Sequence, residues 1–145
     1  MASQVYNEFK RASAAGEIDL NADDIRIALL MTNTTADTEN DGKTFISDFT
    51  TLDEFDGSGY VRKALANEAV NLDDPNDRAE FDADDVTFTA LGAGTRSVQG
   101  VLLYKEGASD AARRIIAWLE FATVKTPDGS DFTVAWNAQG ILQLA

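Results

Sequence analysis

The stretch Val98-Gln99-Gly100-Val101-Leu102-Leu103-Tyr104-Lys105 decides the fold class of this chain of 145 residues. Its apolar residues follow one another, as they do in a strand that is buried on both faces of a sheet. Glycine-rich turn sequences bound it, Gly92-Ala93-Gly94 before it and Gly107-Ala108-Ser109-Asp110 after it. We therefore predict a central strand at this position, with neighbouring strands on both of its edges.

Most other apolar segments alternate with polar residues, which is the two-residue period of a half-buried strand. The clearest case is residues 24–31, in which every second residue from Ile25 to Met31 is apolar. Short strands separated by turns at about 8–12 residues indicate a sandwich or barrel. We predict a mainly β fold, a β-sandwich or jelly-roll-like single domain over residues 1–145. The further predicted strands are 60–65, 68–72, 78–81, 86–90, 115–121, 132–136 and 141–144.

Two segments have helical spacing instead. In residues 3–15, the apolar side chains Val5, Phe9 and Ala12 recur at the period of an amphipathic helix. We predict a short N-terminal helix here, and a second short helix over residues 44–54. Between the first strand and that second helix, residues 32–43 are polar and are predicted to form an exposed loop.

The apolar faces of the predicted strands define a candidate core, because each residue lies on the side of its strand that must leave water. We expect these thirteen positions to be mostly buried: Ile25, Ile27, Leu29, Val86, Phe88, Leu102, Tyr104, Ile115, Ala117, Leu119, Phe132, Val134 and Trp136.

The composition excludes several kinds of chemistry. The chain has no cysteine and no histidine, which removes thiolate nucleophiles, Ser-His-Asp triads and Cys- or His-ligated metals. We predict a non-enzymatic protein with no catalytic residue, no cofactor and no metal site. The net charge of −13 opposes binding to nucleic acid, and no run approaches the roughly 20 apolar residues of a membrane span. We expect no nucleic acid and no membrane among its partners.

The negative charge is concentrated in residues 1–85, which hold twenty acidic and seven basic residues. Residues 73–85 are the most acidic stretch, and clustered carboxylates can bind calcium. The stretch does not have EF-hand spacing, since Arg78 stands where that loop needs glycine. Solvated turns between short strands are the favoured interpretation, with a calcium site as the alternative.

Aromatic and basic side chains suggest two further kinds of site. Trp118 and Trp136 could stack on sugars, although alternation favours core positions for both. The basic pair Arg62 and Lys63 is expected to bind carboxylates, including those of a neighbouring subunit. A carbohydrate-binding module is therefore one alternative function, and a hydrolase that uses two carboxylates is another.

The chain resembles a family of small structural proteins of tailed bacteriophages. The resemblance spans almost the whole sequence and is carried by these segments: Val5-Tyr6-Asn7-Glu8-Phe9-Lys10, Gly16-Glu17-Ile18-Asp19-Leu20, Asp24-Ile25-Arg26-Ile27-Ala28-Leu29-Leu30, Gly59-Tyr60-Val61-Arg62-Lys63-Ala64-Leu65, residues 77–88, Val101-Leu102-Leu103-Tyr104-Lys105 and Trp136-Asn137-Ala138-Gln139-Gly140-Ile141-Leu142-Gln143-Leu144. It implies a capsid decoration (cement) protein that binds the major capsid protein, with a neck or tail component as the alternative.

The same resemblance implies where the protein acts. We expect it on the outer surface of the capsid in the virion, and in the host cytoplasm during assembly. Copies of itself are expected partners, with a trimer favoured. Five residues are the candidate partner interface: Val5, Tyr6 and Phe9 on the N-terminal helix, with Arg62 and Lys63. The alternative for the helix is that its apolar side packs under its own sheet.

Overall fold

The computed structural model describes residues 3–145, and its elements are mainly strands. Strands make up 36% of the residues and helical turns 10%, so the mainly β prediction is confirmed. The elements in chain order are β1 Gln4–Val5, α1 Asn7–Ala14, β2 Ile25–Met31, β3 Lys63–Ala64, β4 Ala69–Asp73, β5 Arg78–Asp82, β6 Val86–Phe88, β7 Val98–Lys105, β8 Arg114–Lys125, β9 Phe132–Val134 and β10 Leu142–Leu144. Single 3-10 turns lie at Ile46–Asp48 and Asp74–Asn76.

The largest sheet has five antiparallel strands in the order β1-β8-β7-β2-β3. Strand β7 is the middle strand, and its residues from Gly100 to Tyr104 are all buried. The prediction of a central strand at Val98–Lys105 is therefore confirmed. The outer strands β1 and β3 have two residues each, and β1 joins the sheet by pairing Gln4 and Val5 with Trp118 and Ala117 of β8.

One face of this sheet packs against the two smaller sheets. These are the three-stranded sheet β10-β5-β4 and the two-stranded sheet β6-β9. The apolar side chains between the layers include Leu29, Leu103, Phe81 and Phe88, and Phe9 of α1 closes the same cluster. The arrangement is a sandwich-like packing of antiparallel sheets with one helix at its side.

The opposite face of the five-stranded sheet is covered by the chain between β2 and β3. A second apolar cluster forms there around Trp118 and Tyr104, and it includes Ala36, Ile46 and Phe49 of the covering segment. The prediction of an exposed loop over residues 32–43 is wrong at its centre, since Thr34 and Ala36 are buried. The central sheet is therefore buried on both faces.

The predicted helix over residues 44–54 is reduced to the 3-10 turn at Ile46–Asp48. Apart from the two hydrogen bonds of this turn, its backbone groups bind neighbouring segments. Ile46 N–H donates to the Arg113 carbonyl, Phe55 N–H donates to the Leu29 carbonyl, and Met31 N–H donates to the Asp53 carbonyl. Because tertiary hydrogen bonds occupy these groups, a continuous helix cannot form there.

The N-terminal helix is confirmed but begins at Asn7, after β1, rather than at Ser3. Tyr6 separates the two elements: its backbone is extended, and its N–H donates to the Ile116 carbonyl at 3.0 Å. Ten of the thirteen predicted core residues are buried. The other three, Leu119, Phe132 and Trp136, are half-buried at the margin of the first cluster.

Gly100 on β7 lets the largest core side chain pack across the middle of the sheet. A Cβ at this position would stand 2.4 Å from the Leu119 carbonyl oxygen and 2.8 Å from the Trp118 ring. Both distances are shorter than van der Waals contact, so only glycine fits without moving the backbone of β8.

Candidate interaction surface

The β4–β5 hairpin carries the most exposed large apolar side chain among residues 3–145. Leu72 on β4 is 82% exposed, and Val70 two residues earlier is 36% exposed. Directly opposite residues in a sheet share a face, so the row Leu72, Ala79, Leu144 lies beside the row Val70, Phe81, Leu142. Phe81 and Leu142 are buried, whereas Ala79 and Leu144 are only half-buried. The hairpin therefore extends past the core and leaves its apolar face uncovered at the tip.

The apolar face continues from the hairpin towards the N-terminal helix. A cavity of about 400 Å³ opens beside Leu144, and Val5, Phe9 and Lys10 are among the residues that line it. Leu144 thus belongs both to this cavity and to the row that ends at Leu72. We call this surface, from Leu72 through Ala79 and Leu144 to Val5, the apolar strip.

Acidic residues are concentrated in the segment that contains the hairpin. Residues 68–85 hold eight acidic residues and one basic residue, Arg78. Arg78 Nε donates to Asp73 at 2.8 Å, and its Nη2 donates to Glu80 at 2.9 Å. Hydrogen bonds from the Asn76 amide and the Arg78 guanidinium lower the pKa of the Asp73 carboxyl. The hairpin is therefore strongly negative at neutral pH.

The acidic stretch does not assemble as a metal site. Asp73, which would begin a calcium-binding loop, is bound by Asn76 and Arg78. Asp74 to Asn76 form a 3-10 turn and Asp77 is left-handed, so the residues make the tight turn of the hairpin. In the described part of the chain, no group of three or more carboxylates is placed to hold a metal ion.

The structure separates the five predicted interface residues. Tyr6 and Phe9 are buried in the chain's own core, and the Tyr6 hydroxyl donates to the Ala36 carbonyl at 2.6 Å. Burial raises the pKa of the Tyr6 hydroxyl far above its ordinary value. Neither side chain is open to a neighbour in this structure, because Tyr6 packs in the second apolar cluster and Phe9 in the first. Val5 is half-buried and belongs to the apolar strip.

Arg62 and Lys63 also have partners within the chain. Arg62 bridges Glu54 at 2.8 Å and Asp110 at 2.6 Å. The Lys63 ammonium lies 5.4 Å from the centre of the Phe88 ring. Pairing of the basic doublet with carboxylates is thus observed for Arg62, and the carboxylates are the chain's own. The two residues lie on β3 or just before it, and β3 belongs to a different sheet from β4.

A basin of about 640 Å³ beside Arg62 is lined by several charged side chains. Arg113 donates to Glu106 and, at 3.0 Å, to Asp110, while Arg26 lies 3.2 Å from Glu106. Hydrogen bonds from Arg62 and Arg113 lower the pKa of the Asp110 carboxyl. A general acid needs a carboxyl whose pKa is raised towards neutrality. The ion pairs act on the pKa of Asp110 in the opposite direction.

The two tryptophans, which were candidates for stacking on sugars, differ in exposure. Trp118 is fully buried beneath the segment that covers the central sheet. Trp136 is half-buried against the first cluster, and its indole N–H donates to the Asp84 carbonyl at 2.9 Å. Stacking on a sugar requires an exposed ring face. Sugar binding through Trp118 is therefore excluded in this conformation.

Comparison with models of known protein families, with curated protein sequences and with solved structures gives no match. No helix within residues 3–145 has the length and apolar character needed to cross a membrane.

The sequence did not identify Leu72 as a surface residue. Its alternation with polar neighbours predicts a strand, and that pattern is the same for a covered and for an uncovered apolar face. The available signal was the position of the strand inside the most acidic part of the chain, where the flanking charges keep the region in water.

Proposed function

We propose that this protein is a non-enzymatic structural protein of a phage particle, a capsid decoration protein that binds the major capsid protein through its β4–β5 hairpin. The observation that carries the proposal is Leu72, a large apolar side chain that the fold presents at 82% exposure. Single exposed apolar residues are common, but this one ends a continuous apolar strip that leads to a cavity. Such a surface has the character of a docking site.

The charge of the hairpin supports the choice of partner. Eight acidic residues and one basic residue would repel a second copy at the same surface. A shell surface with basic side chains around an apolar socket would attract it. Before the shell exists, the net charge of −13 helps to keep free molecules apart. The formation of a homo-oligomer, with a trimer favoured, stays a prediction that concerns other faces of the molecule.

The arrangement of the charged side chains supports a non-enzymatic role. The basin beside Arg62 is built from arginine–carboxylate pairs, which tie distant segments together. Partly exposed pairs of this kind contribute up to about 1 kcal/mol each. Their arrangement fits a rigid building block, and a block that reinforces a shell stabilises it by binding the assembled state.

The test combines sedimentation with heating. Shells of the major capsid protein are mixed with the protein, with Leu72→Ser or with Val124→Ser, and are then pelleted and heated. Val124 is the matched control, since it is an aliphatic strand residue at 53% exposure far from the hairpin in sequence. We expect the protein and Val124→Ser to pellet in a fixed ratio and to raise the temperature of shell disruption.

Leu72→Ser should pellet at least tenfold less at the same concentration. If the unaltered protein does not bind shells, or binds without changing their thermal stability, the decoration role is contradicted. Cryo-electron microscopy of whole particles then distinguishes the alternatives, because density for the chain only at the neck or tail would make it a component of those structures.

A further inference from the structure

Strand β4 is an edge strand of the three-stranded sheet, and some of its peptide groups point away from the sheet. The Phe81 carbonyl on β5 accepts the Ile141 N–H at 2.7 Å, so the peptide groups of Phe81 point towards β10. Val70, which is opposite Phe81, therefore turns its own groups away from β5. Its N–H confirms this direction, because it donates to the Asn21 side chain at 2.8 Å.

The same alternation applies two residues later. The N–H and the carbonyl of Leu72 point to the open edge of the sheet, and so does the carbonyl of Val70. Asn21 occupies only the beginning of this edge. Proteins usually protect an edge strand with lysine, proline or a very short length. Strand β4 has five residues, and between Ala69 and Asp73 it contains neither lysine nor proline.

We infer that β4 binds an extended segment of a partner protein as an additional strand, and that this segment alternates apolar with basic residues. Its apolar side chains would lie on the face of Val70 and Leu72, beside the apolar strip. Its basic side chains would lie on the opposite face, beside Asp73 at the end of β4, whose carboxylate also accepts a hydrogen bond from Arg78. Main-chain hydrogen bonds supply affinity in this mode of recognition, and alternate side chains supply specificity.

The charge of the edge decides between possible occupants. A second copy of β4 would bring Asp73 and its acidic neighbours against those of the first, which is unfavourable. A basic segment gains from the same charges. This inference deepens the proposed function, since it rests on the hairpin being the docking surface and specifies how the partner engages it.

The test uses the isolated protein and a labelled peptide in which valine and lysine alternate over eight residues. Fluorescence anisotropy measures its binding. Two control peptides carry the same side chains: one has four lysines followed by four valines, and the other has N-methyl groups on alternate amides. We expect each control peptide to bind at least tenfold more weakly, because the first loses the two-faced pattern and the second loses its hydrogen-bond donors.

Two variants of the protein separate the backbone from the side chain. Leu72→Pro removes the outward N–H but no hydrogen bond to β5, and proline is tolerated at strand edges. Leu72→Ala keeps the N–H and removes most of the apolar side chain. We expect both to bind the alternating peptide at least tenfold more weakly, and Val124→Ala to bind it normally. Affinity should also fall between low salt and about 0.5 M NaCl.

The outcomes are distinguishable from those of the shell experiment. Equal binding of the N-methylated peptide would overturn strand addition, even if Leu72→Pro proves unfolded by circular dichroism. If the protein associates with itself through Leu72 and the peptide does not compete with this association, a second copy is the occupant of the edge. That result would also overturn strand addition by a partner protein. If shells need Leu72 but the peptide does not bind, the proposed function survives without strand addition. If the peptide binds but shells do not, strand addition survives and the decoration role fails.

Discussion

The two larger sheets of this protein place their apolar residues in different surroundings. The five-stranded sheet is buried on both faces, and its outer strands β1 and β3 have only two residues each. The three-stranded sheet is covered near Phe81, is open at Leu72 and ends in the five-residue strand β4. Stability is therefore concentrated in the first sheet, while the second has apolar surface and an edge available to a partner.

The largest expected effect comes from a substitution that creates a cavity beside the five-stranded sheet. Leu103 on β7 is fully buried between the layers. We expect Leu103→Ala to lower the free energy of unfolding by about 2–5 kcal/mol, because the lost contacts are only partly recovered by relaxation. Urea denaturation followed by circular dichroism measures the change. A loss below about 1 kcal/mol would show that the sheet is not the stable part of the molecule.

The second largest loss in the free energy of unfolding is expected from a substitution that adds atoms to the same strand. In Gly100→Ala the new methyl group collides with the Leu119 carbonyl and the Trp118 ring. We expect a loss of about 3 kcal/mol, at the upper end of the usual cost of overpacking, in the same urea experiment.

Gly16→Ala is the control for this change. Gly16 has φ of +73° and open space around its Cβ position, so its cost is conformational only. That cost should be about 1–2 kcal/mol. A Gly100→Ala loss no larger than the Gly16→Ala loss would mean that the packing of Trp118 adapts to the extra methyl group.

A smaller effect concerns the segment that covers the second face. Glu39 accepts hydrogen bonds from the Thr50 N–H and from the hydroxyls of Thr50 and Thr35. These bonds, with that of the Thr50 hydroxyl foremost, lower the pKa of the Glu39 carboxyl from 4.5 to about 2. The carboxylate therefore stabilises the fold fully above pH 4.5, and its contribution disappears as the pH falls towards 2.

Glu39→Gln should accordingly lower stability at pH 7 by about 1.5 kcal/mol, the lower end for hydrogen bonds to a charged group. The difference from the unaltered protein should shrink below pH 4.5 and vanish near pH 2 in urea titrations at several pH values. Glu68→Gln is the control, because it makes the same change of charge beside the open hairpin. A difference for Glu39→Gln that is independent of pH would contradict the assignment to the carboxylate.

The smallest expected effect is at the open end of the second sheet. Leu72→Ala should change the free energy of unfolding by less than about 0.5 kcal/mol, since its side chain is already in water. The same substitution at Leu103 gives the direct contrast between the sheets. A loss above about 1 kcal/mol at Leu72 would show that its side chain is covered in the free protein, and that the apolar strip is not an open surface.

The sequence predicted the parts of the fold that depend on local pattern. Strands β2 and β7 were clear because their apolar runs are long and are bounded by turns. The covering role of residues 32–52 was not predictable in the same way, because few of its residues are apolar and its hydrogen bonds go to distant segments. The helix predicted at residues 44–54 failed for the same reason.

The candidate site was harder to predict than the fold. A two-residue period gives the direction of the side chains of Val70 and Leu72 but does not show what lies above them. Only the register Leu72, Ala79, Leu144, with the decrease in burial from Phe81 outwards, shows that the core ends before the hairpin does. Conversely, Tyr6 and Phe9 have the pattern of a docking helix, yet the chain uses them in its own core.

The pairing of β1 with β8 has a consequence during synthesis. Ser3 and Glu120, joined by a hydrogen bond at the end of this pair, are 117 positions apart in sequence. At about 5–20 residues per second, a ribosome needs roughly 6–23 s to make the intervening chain. The five-stranded sheet cannot close during that time, whereas the β4–β5 hairpin can form as soon as its own residues emerge. The hairpin that we propose as the docking surface can therefore form before the five-stranded sheet is complete.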